Sequence, residues 1–453
     1  MRVIFHADII TYFAHGRKTI VVARKADLRY NERMARSHAA GSGKKKLILT
    51  LIAIVLVIVI AAVVIYFAAP EVYDDLLGAI LPDRNDGTDG TDGGDTGGTT
   101  PPVLAPGDGE LQVHFMDVGQ GDSILILFPD GKDMLIDCAN YNDSSSIRTE
   151  IFDYMDDYVT DGQLDYLMLT HCDSDHVYFM DEVLEEYQVD NIFMPDVLAA
   201  PNGTSQTAQA LRDGIAALDG EKLAMFDDED VVTSQTYAEF FIAALTEPDC
   251  TVTLNVDPDE DTNSIVITDG DKQPDGTYDG ATYMLTFYCP TAEFYATNGF
   301  DNSGGFDDSE WKNSISPIGV LEYNGFRIVL TGDSNEINEP AFVDRIGGAL
   351  DCDVLKVGHH GSETSSTEEF LDAIDCEYAV ISCNANGNTF SHPRQNTLDR
   401  FIARDMTIYR TDNNGNIVLT VGADGSHTFV TEKEADQAVN RDGWTDEEID
   451  AKG

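Results

Sequence analysis

Residues 169–179 read LTHCDSDHVYF. Two histidines, His171 and His176, and two aspartates, Asp173 and Asp175, fall within six positions directly after the apolar run 164–170. Imidazole and carboxylate bind zinc, manganese or iron without help from thiolate. The cluster is therefore half of a metal site or an ordinary polar turn. Other strand-like runs end in the same way: Asp137 follows MLI, Asp333 follows IVLTG, and His359 and His360 follow LKVG. Loops beyond strand carboxyl ends converge in layered α/β folds, so several such ends bearing ligand-type groups predict one shared site. Six groups suffice for two ions. Two ions roughly 3.5–4 Å apart generate a hydroxide near neutral pH and clamp both oxygens of an in-line displacement.

The elements that must position these groups are legible from period and turn chemistry. LQVHFMDV, SILILF and DMLIDC are short strands separated by GQGD and PDGK turns. A helix is predicted near 146–158, a buried strand over 164–170, a helix near 179–187 and a strand over 191–196. Residues 200–310 hold acidic, loop-like stretches and are expected to be an insertion within the domain. ISPIGVLEYNGFRIVLTGD is a hairpin turning at Asn324-Gly325. Helices near 335–347, 367–374 and 394–405 then alternate with strands over 353–358 and 378–383. Mixed strands with helices on the outer faces predict a layered α/β sandwich over 111–430. An acidic tail, 431–453, is expected to fray.

The chain of 453 residues carries 28 Lys+Arg against 81 Asp+Glu, a formal charge of −53. Residues 1–46 hold eleven of the basic residues and three of the acidic ones, so the remainder is strongly anionic. Such a body repels polyanions over its general surface and excludes tight, purely electrostatic binding of long nucleic acid. Residues 47–69 form an uncharged apolar run of 23 preceded by Lys44, Lys45 and Lys46. That length and flank predict one transmembrane helix, with the basic N-terminus inside and everything beyond outside. A cleaved signal peptide is the alternative, but signal cores run only ~7–15 residues. Met34 offers an alternative start. Residues 70–110, rich in Gly, Asp and Thr, predict a disordered linker. Seven cysteines, at 138, 172, 250, 289, 352, 376 and 383, show no CxxC pair and no disulfide framework, although one bridge remains open.

Taken together, the motifs resemble the metallo-β-lactamase fold superfamily, with its H-x-[HD]-x-D-H signature. More narrowly they resemble the hydrolase domain of the ComEC-type competence (DNA-uptake) proteins. FMDVGQGDSILI (115–126), LIDCAN (135–140), LTHCDSDH (169–176), NSIS (313–316), LTGD (330–333), DVLKVGHHGSETSS (353–366), SHP (391–393) and YRTDNNGNI (409–417) carry the resemblance in family order. It implies a four-layer αββα sandwich and a metal-dependent hydrolase, with a phosphodiesterase or nuclease as the family expectation. It implies two divalent ions, zinc or manganese, sharing a bridging hydroxide. His171 and Asp173 would hold the first ion, Asp175 and His176 the second, with Asp333 between them. One of His359 and His360 completes the second site; the sequence leaves the choice open and favours His360. The other orients substrate or moves a proton. Asp122 and Asp137 organise the site or are plain turn aspartates. His392 protonates the leaving group or hydrogen-bonds a phosphate oxygen, unless it is a loop histidine before Pro393. Asp175, His359 and His392 are thus the catalytic candidates.

Three departures stand out. No histidine occurs from 177 to 358, so the superfamily's middle ligand has no counterpart. VYF (177–179) replaces the usual small residues after the Asp-His, and the multi-helix channel of the DNA-uptake proteins is absent, so DNA transport is not implied. For substrate contact the candidates are Asn313, Ser362 and Arg394, with Ser365 and Ser366 beside them. Arg400, Arg404, Arg410 and Lys356 are further cations suited to phosphate, or else part of a solvated face. The expected partners are a phosphodiester, as nucleic acid or cell-wall polymer, and a membrane reached through the N-terminal helix. No protein partner is implied. A non-catalytic surface module, or a hydrolase of other esters or amides, is the alternative reading.

Overall fold

The computed structural model describes residues 4–6, 9–14, 17–21 and most of 106–452, apart from 108, 142–144, 196, 198–203, 219, 221, 227–233, 257–263, 292–293, 295–308 and 385–389. The chain divides into two compact units, Met1–Gly97 and Gly98–Gly453. In the first, β1 (Ile4–His6), β2 (Ile9–Ala14) and β3 (Arg17–Val21) pair antiparallel. Among the described residues no helix is long and apolar enough to cross a membrane. The run 47–69 and most of the expected linker lie outside the described residues. The transmembrane helix is accordingly corrected, and the membrane attachment, single-pass topology and extracellular placement that depended on it are withdrawn.

In the second unit the apolar runs assemble into two sheets. Strands β4 (Leu111–Phe115), β5 (Ser123–Leu127), β6 (Asp133–Cys138), β7 (Gln163–Met168), β8 (Gln188–Pro195) and β9 (Thr251–Val256) follow one another across the first sheet. The second sheet runs β10 (Ser264–Thr268), β13 (Tyr283–Tyr288), β14 (Ile318–Tyr323), β15 (Phe326–Leu330), β16 (Val354–Lys356), β17 (Tyr378–Ile381) and β18 (Thr407–Arg410). A two-stranded ribbon, β11 (Asp271–Lys272) with β12 (Tyr278–Asp279), separates β10 from β13. The chain then returns to the first sheet, where β19 (Ile417–Val421) and β20 (His427–Thr431) extend the edge beside β4.

Period-2 alternation decides which side chains lie between the sheets. Leu111, Val113 and Phe115 of β4 and Ile124 and Ile126 of β5 meet Leu285, Leu321, Ile328 and Val354 there. The opposite face of the first sheet, with Leu125, Leu135 and Leu167, is covered by α1 (Ser145–Asp156), α3 (Met180–Glu186) and α5 (Gln235–Thr246). The short α2 (Ser174–Val177) precedes α3, and α4 (Gln206–Ala216) precedes α5. On the second sheet Val329, Leu355 and Ala379 lie beneath Phe342 of α7 (Glu339–Ile346), Phe370 of α8 (Glu368–Ile374) and Phe401 of α9 (Gln395–Ala403). A short α6 (Ser309–Ser314) leads into β14. The result is the expected four-layer αββα sandwich. Residues 200–310, expected as an insertion, supply the helices α4 and α5 and edge strands of both sheets. The tail expected to fray is docked: Gln395 donates to the Trp444 carbonyl at 2.9 Å, and buried Asn440 donates to the Ile408 carbonyl at 2.9 Å.

β6 to β9 and β15 to β18 run parallel within their sheets, so each set presents its carboxyl ends together. Two features lock those ends. Gly121 approaches so closely that a Cβ there would lie 2.6 Å from the Ala139 carbonyl oxygen and 2.7 Å from that of Asp175. Fully buried Lys356, ending β16, donates to Asp122 Oδ2 at 2.7 Å and to the Val357 carbonyl at 3.0 Å. Lys356 thus ties the second sheet to the first and does not reach substrate. A disulfide joins Cys352 to Cys376, on either side of β16 and α8, while the five other cysteines are free and buried.

Two outcomes follow. Lys356→Ala strands the Asp122 carboxylate in the interior and should cost about 3–5 kcal/mol in urea unfolding, with Lys356→Ala/Asp122→Asn costing less than the sum of the two single changes; additive losses would show that the pair is uncoupled. His114, buried on β4 with Nδ1 2.8 Å from the Tyr154 hydroxyl, is pushed by burial from 6.5 down to about 3. The unfolded chain therefore takes up a proton that the folded chain refuses. This contribution is complete above pH 6.5 and is lost as pH falls towards 3. The stability gap between wild type and His114→Gln should narrow by about 1.4 kcal/mol per pH unit below that point; a constant gap would contradict the assignment.

Candidate metal centre

Asp137 closes β6 with φ +55°, a conformation that turns its carboxylate across the neighbouring strand end. One oxygen accepts from the Thr170 amide at 2.8 Å. The other accepts from the Thr170 hydroxyl and from His176 Nδ1, both at 2.7 Å. The His176 Nδ1–H is thereby committed, and Nε2 is left facing the site. His360 repeats the device by donating from Nδ1 to the Ser382 carbonyl at 2.9 Å. His171 Nδ1 lies 3.1 Å from Thr170 Oγ1 and 3.3 Å from Ser316 Oγ. Because the Thr170 proton already goes to Asp137, its oxygen accepts from His171. Three imidazoles are thus held in one tautomer by groups behind them, as metal-ligating histidines are.

Their Nε2 atoms, with Asp333 Oδ1, are buried and lack a hydrogen-bond partner. Buried polar atoms are rarely left unpaired unless they face an ion or water. His171, His176 and Asp333 offer ligand atoms within 4.8 Å of one another, as do Asp175, His176 and His360. These overlapping clusters can hold one or two divalent ions and fit the donor chemistry of such a group. Asp333 lies after β15, 3.9 Å from His171, 3.1 Å from His176 and 3.6 Å from His360. Burial opposes its ionisation, but His176, His360 and His359 together outweigh burial and hold the carboxyl well below its usual range. Asp175 Oδ2, 3.4 Å from His360 Nε2, is likewise lowered: burial opposes ionisation and the histidines prevail. Burial also disfavours charge on His176, yet Asp333 and Asp137 raise it well above 6.5. His171 is pushed to about 3 by burial and by the neighbouring His176, which together outweigh Asp333, Asp137 and Asp175.

Asp173 stands apart from these clusters. Its carboxylate is 4.0 Å from His171 Nε2, and its other oxygen accepts from Lys312 Nζ at 3.2 Å. Burial disfavours charge on Lys312, but Asp173 outweighs it and raises the amine's pKa. Sequence reasoning missed this buried cation, 139 positions from its partner. Thr170, Ser316 and the Ser382 carbonyl were missed as well; only the Asp137 motif hinted at such support. His359 Nε2 lies 3.9 Å from Asp333, with the Asn313 amide 3.2 Å away and the His392 ring centroid at 5.1 Å. Burial, aided by His359, pushes His392 to about 3.

Other candidates are engaged elsewhere. Ser362 bonds Thr364, and Ser365 caps the Gly358 carbonyl at 2.7 Å. The Ser366 amide donates to buried Glu339 at 2.6 Å. Arg394 pairs with Glu363 and Asp446, and Arg404 with Glu368 and Asp372. Arg400 donates to the Ser365 and Ser366 carbonyls, and Arg410 pairs with Asp412 at 2.8 Å.

Comparison with known proteins bears on the same residues. A sequence profile of the Metallo-beta-lactamase superfamily matches residues 116–272. Competence protein ComA of Neisseria gonorrhoeae is 38% identical over 101 residues, covering 22% of this chain and 14% of ComA. ComE operon protein 3 of Bacillus subtilis is 36% identical over 110 residues, covering 24% and 14%. The chain thus spans about a seventh of these relatives, and the narrower resemblance reduces to local likeness to several competence-related proteins. Among solved structures, the metallo-beta-lactamase fold protein YhfI from Bacillus subtilis shares 10% identity at a TM-score of 0.35, covering 71% of this chain and all of YhfI. The diiron beta-hydroxylase CmlA from Streptomyces venezuelae gives 10% and 0.36, covering 73% of this chain and 55% of CmlA. With the paired sheets and the His/Asp clusters at their carboxyl ends, the profile match over residues 116–272 supports a metallo-β-lactamase-like αββα sandwich for residues 111–430.

Proposed function

We propose that the protein is a metal-dependent hydrolase of phosphodiesters. The observation that carries the hydrolase reading is the convergence of three buried, unbonded imidazole Nε2 atoms and Asp333 Oδ1 on one bay. His176, His360, Asp175 and Asp333 would hold one ion, and His171 with Asp333 and Asp173 a second. Divalent metal there supplies Lewis-acid polarisation of a phosphoryl oxygen and a nucleophile from water near neutral pH. Asp137, Thr170 and the Ser382 carbonyl hold the Nδ1 side of each ring, fix its direction and leave Nε2 as the atom a metal would take. His392 and His359, side by side and disfavoured by burial as cations, donate hydrogen bonds to the phosphodiester rather than full protons. Local likeness to competence proteins supports a phosphodiester over other esters, as does the Lys312 ammonium beside the bay.

Asp333→Ala should lose at least one equivalent of metal by elemental analysis and about 10³-fold or more in turnover of bis(p-nitrophenyl) phosphate. Retention of both would remove Asp333 from the centre. Lys312 repels a cation held by Asp173, so Lys312→Met should tighten the site that includes Asp173 about tenfold in calorimetric titration with Mn²⁺. An unchanged Kd would mean that Asp173 takes no part in binding.

A further inference from the structure

Among the described residues few large apolar side chains stand exposed, and two of them touch. Tyr141 is 41% and Phe390 45% exposed, with ring centroids 5.1 Å apart at 86°. Isolated exposed hydrophobics need no explanation, but an aromatic pair at the mouth of a site does. Both rings come from segments that also carry site groups. Tyr141 lies four residues past Asp137, and its amide donates to the Gln120 carbonyl at 2.8 Å. Phe390 lies two residues before His392, with its ring centroid 6.2 Å from that imidazole. Beside Tyr141, a Cβ at Gly119 would meet Asn140 Nδ2 at 3.0 Å and Asn384 Nδ2 at 3.4 Å. A continuous path of rings therefore leads from Asp333 through His359 and His392 to the aromatic pair.

Charge narrows what the pair can take. The chain's −53 repels polyanions, and the four arginines nearest His392 in sequence are spent on carboxylates and carbonyls of the fold. Affinity for a nucleotidic ester must then come from uncharged contacts, and every base offers a π face to an aromatic ring. A cage for a quaternary ammonium needs ring faces that converge on one point. At 86° one ring presents its edge to the face of the other, so the two ring faces do not converge on one point, while faces outside the contact can still stack on a flat ligand.

We propose that Tyr141 and Phe390 form a stacking subsite for the nucleobase next to the scissile phosphate. The proposal rests on the phosphodiester reading of the metal bay. Its test compares thymidine 5′-(4-nitrophenyl phosphate) with methyl 4-nitrophenyl phosphate, which share a leaving group, on metal-loaded wild type, Tyr141→Ala, Phe390→Ala and the double variant. The wild type should favour the base-bearing ester about tenfold in kcat/KM, through KM, and the double variant should bring the ratio near one. Wild-type metal content in the variants would show that the bay is intact. A ratio untouched by the substitutions overturns the subsite. If neither ester turns over, the phosphodiester reading fails by itself, and calorimetry decides the subsite. Thymidine 5′-monophosphate binding about tenfold tighter than inorganic phosphate in wild type, but no tighter than it in the double variant, supports stacking. Equal binding in wild type overturns it, and so does tighter binding of phosphocholine, which would assign the rings to a cationic headgroup.

Discussion

The ion pair between Lys356 and Asp122 is the constraint on which the site depends. Each charge is buried, so each requires the other, and they belong to different sheets. Their 2.7 Å contact fixes the two sheets at the level where the carboxyl ends of β6, β7, β15 and β16 meet. Asp122 also stands 3.7 Å from His360 Nδ1, so the clamp that sets the distance between the sheets borders the imidazole that crosses the gap. Slippage between the layers would separate His360 and Asp333 from His176 and Asp137, because the first two come from one sheet and the others from its partner.

Above that clamp, direction is set by spending one nitrogen of each imidazole. Asp137, Thr170 and the Ser382 carbonyl take the Nδ1 protons, and the Nε2 atoms are left with a common focus. The backbone is bent to allow this: Asp137, His359, His360 and Ser391 all adopt positive φ. Strain at four residues, at the end of β6 and in the loops that follow β16 and β17, is what a fold tolerates when packing elsewhere overdetermines it. The electrostatics are equally poised, since carboxylates and imidazoles there change each other's proton affinity in opposite directions.

What the sequence disclosed follows the range of each interaction. His171, Asp175, His176, Asp333 and His360 were legible because each follows an apolar run, and strand ends converge by rule. The αββα layering was legible from the alternation of strand-like and helix-like runs. Lys312 was not, because a lysine in a short polar helix looks solvated until Asp173 is placed beside it. The arginines of residues 394–410 misled for the reverse reason. A helical stripe of cations suggests a phosphate surface, yet Glu363, Glu368, Asp372 and Asp446 are brought to it from other elements. The pairing of Tyr141 with Phe390 spans some 250 positions and left no periodic trace. The apolar run 47–69 lies outside the described residues, among which no helix is long and apolar enough to cross a membrane.

The pairing of β4 with β19 has a consequence for how the protein comes into being. Residues 111–115 form an interior strand of the first sheet, and one of their two neighbours is residues 417–421. On the ribosome, that strand must wait for some three hundred further residues before its second edge is covered. Until then, an apolar edge bearing Val113 and Phe115 is open to other chains. High sequence separation between contacting strands also slows the final closure. Slower synthesis at lower temperature or a holding chaperone acts on the interval during which this edge is unpartnered.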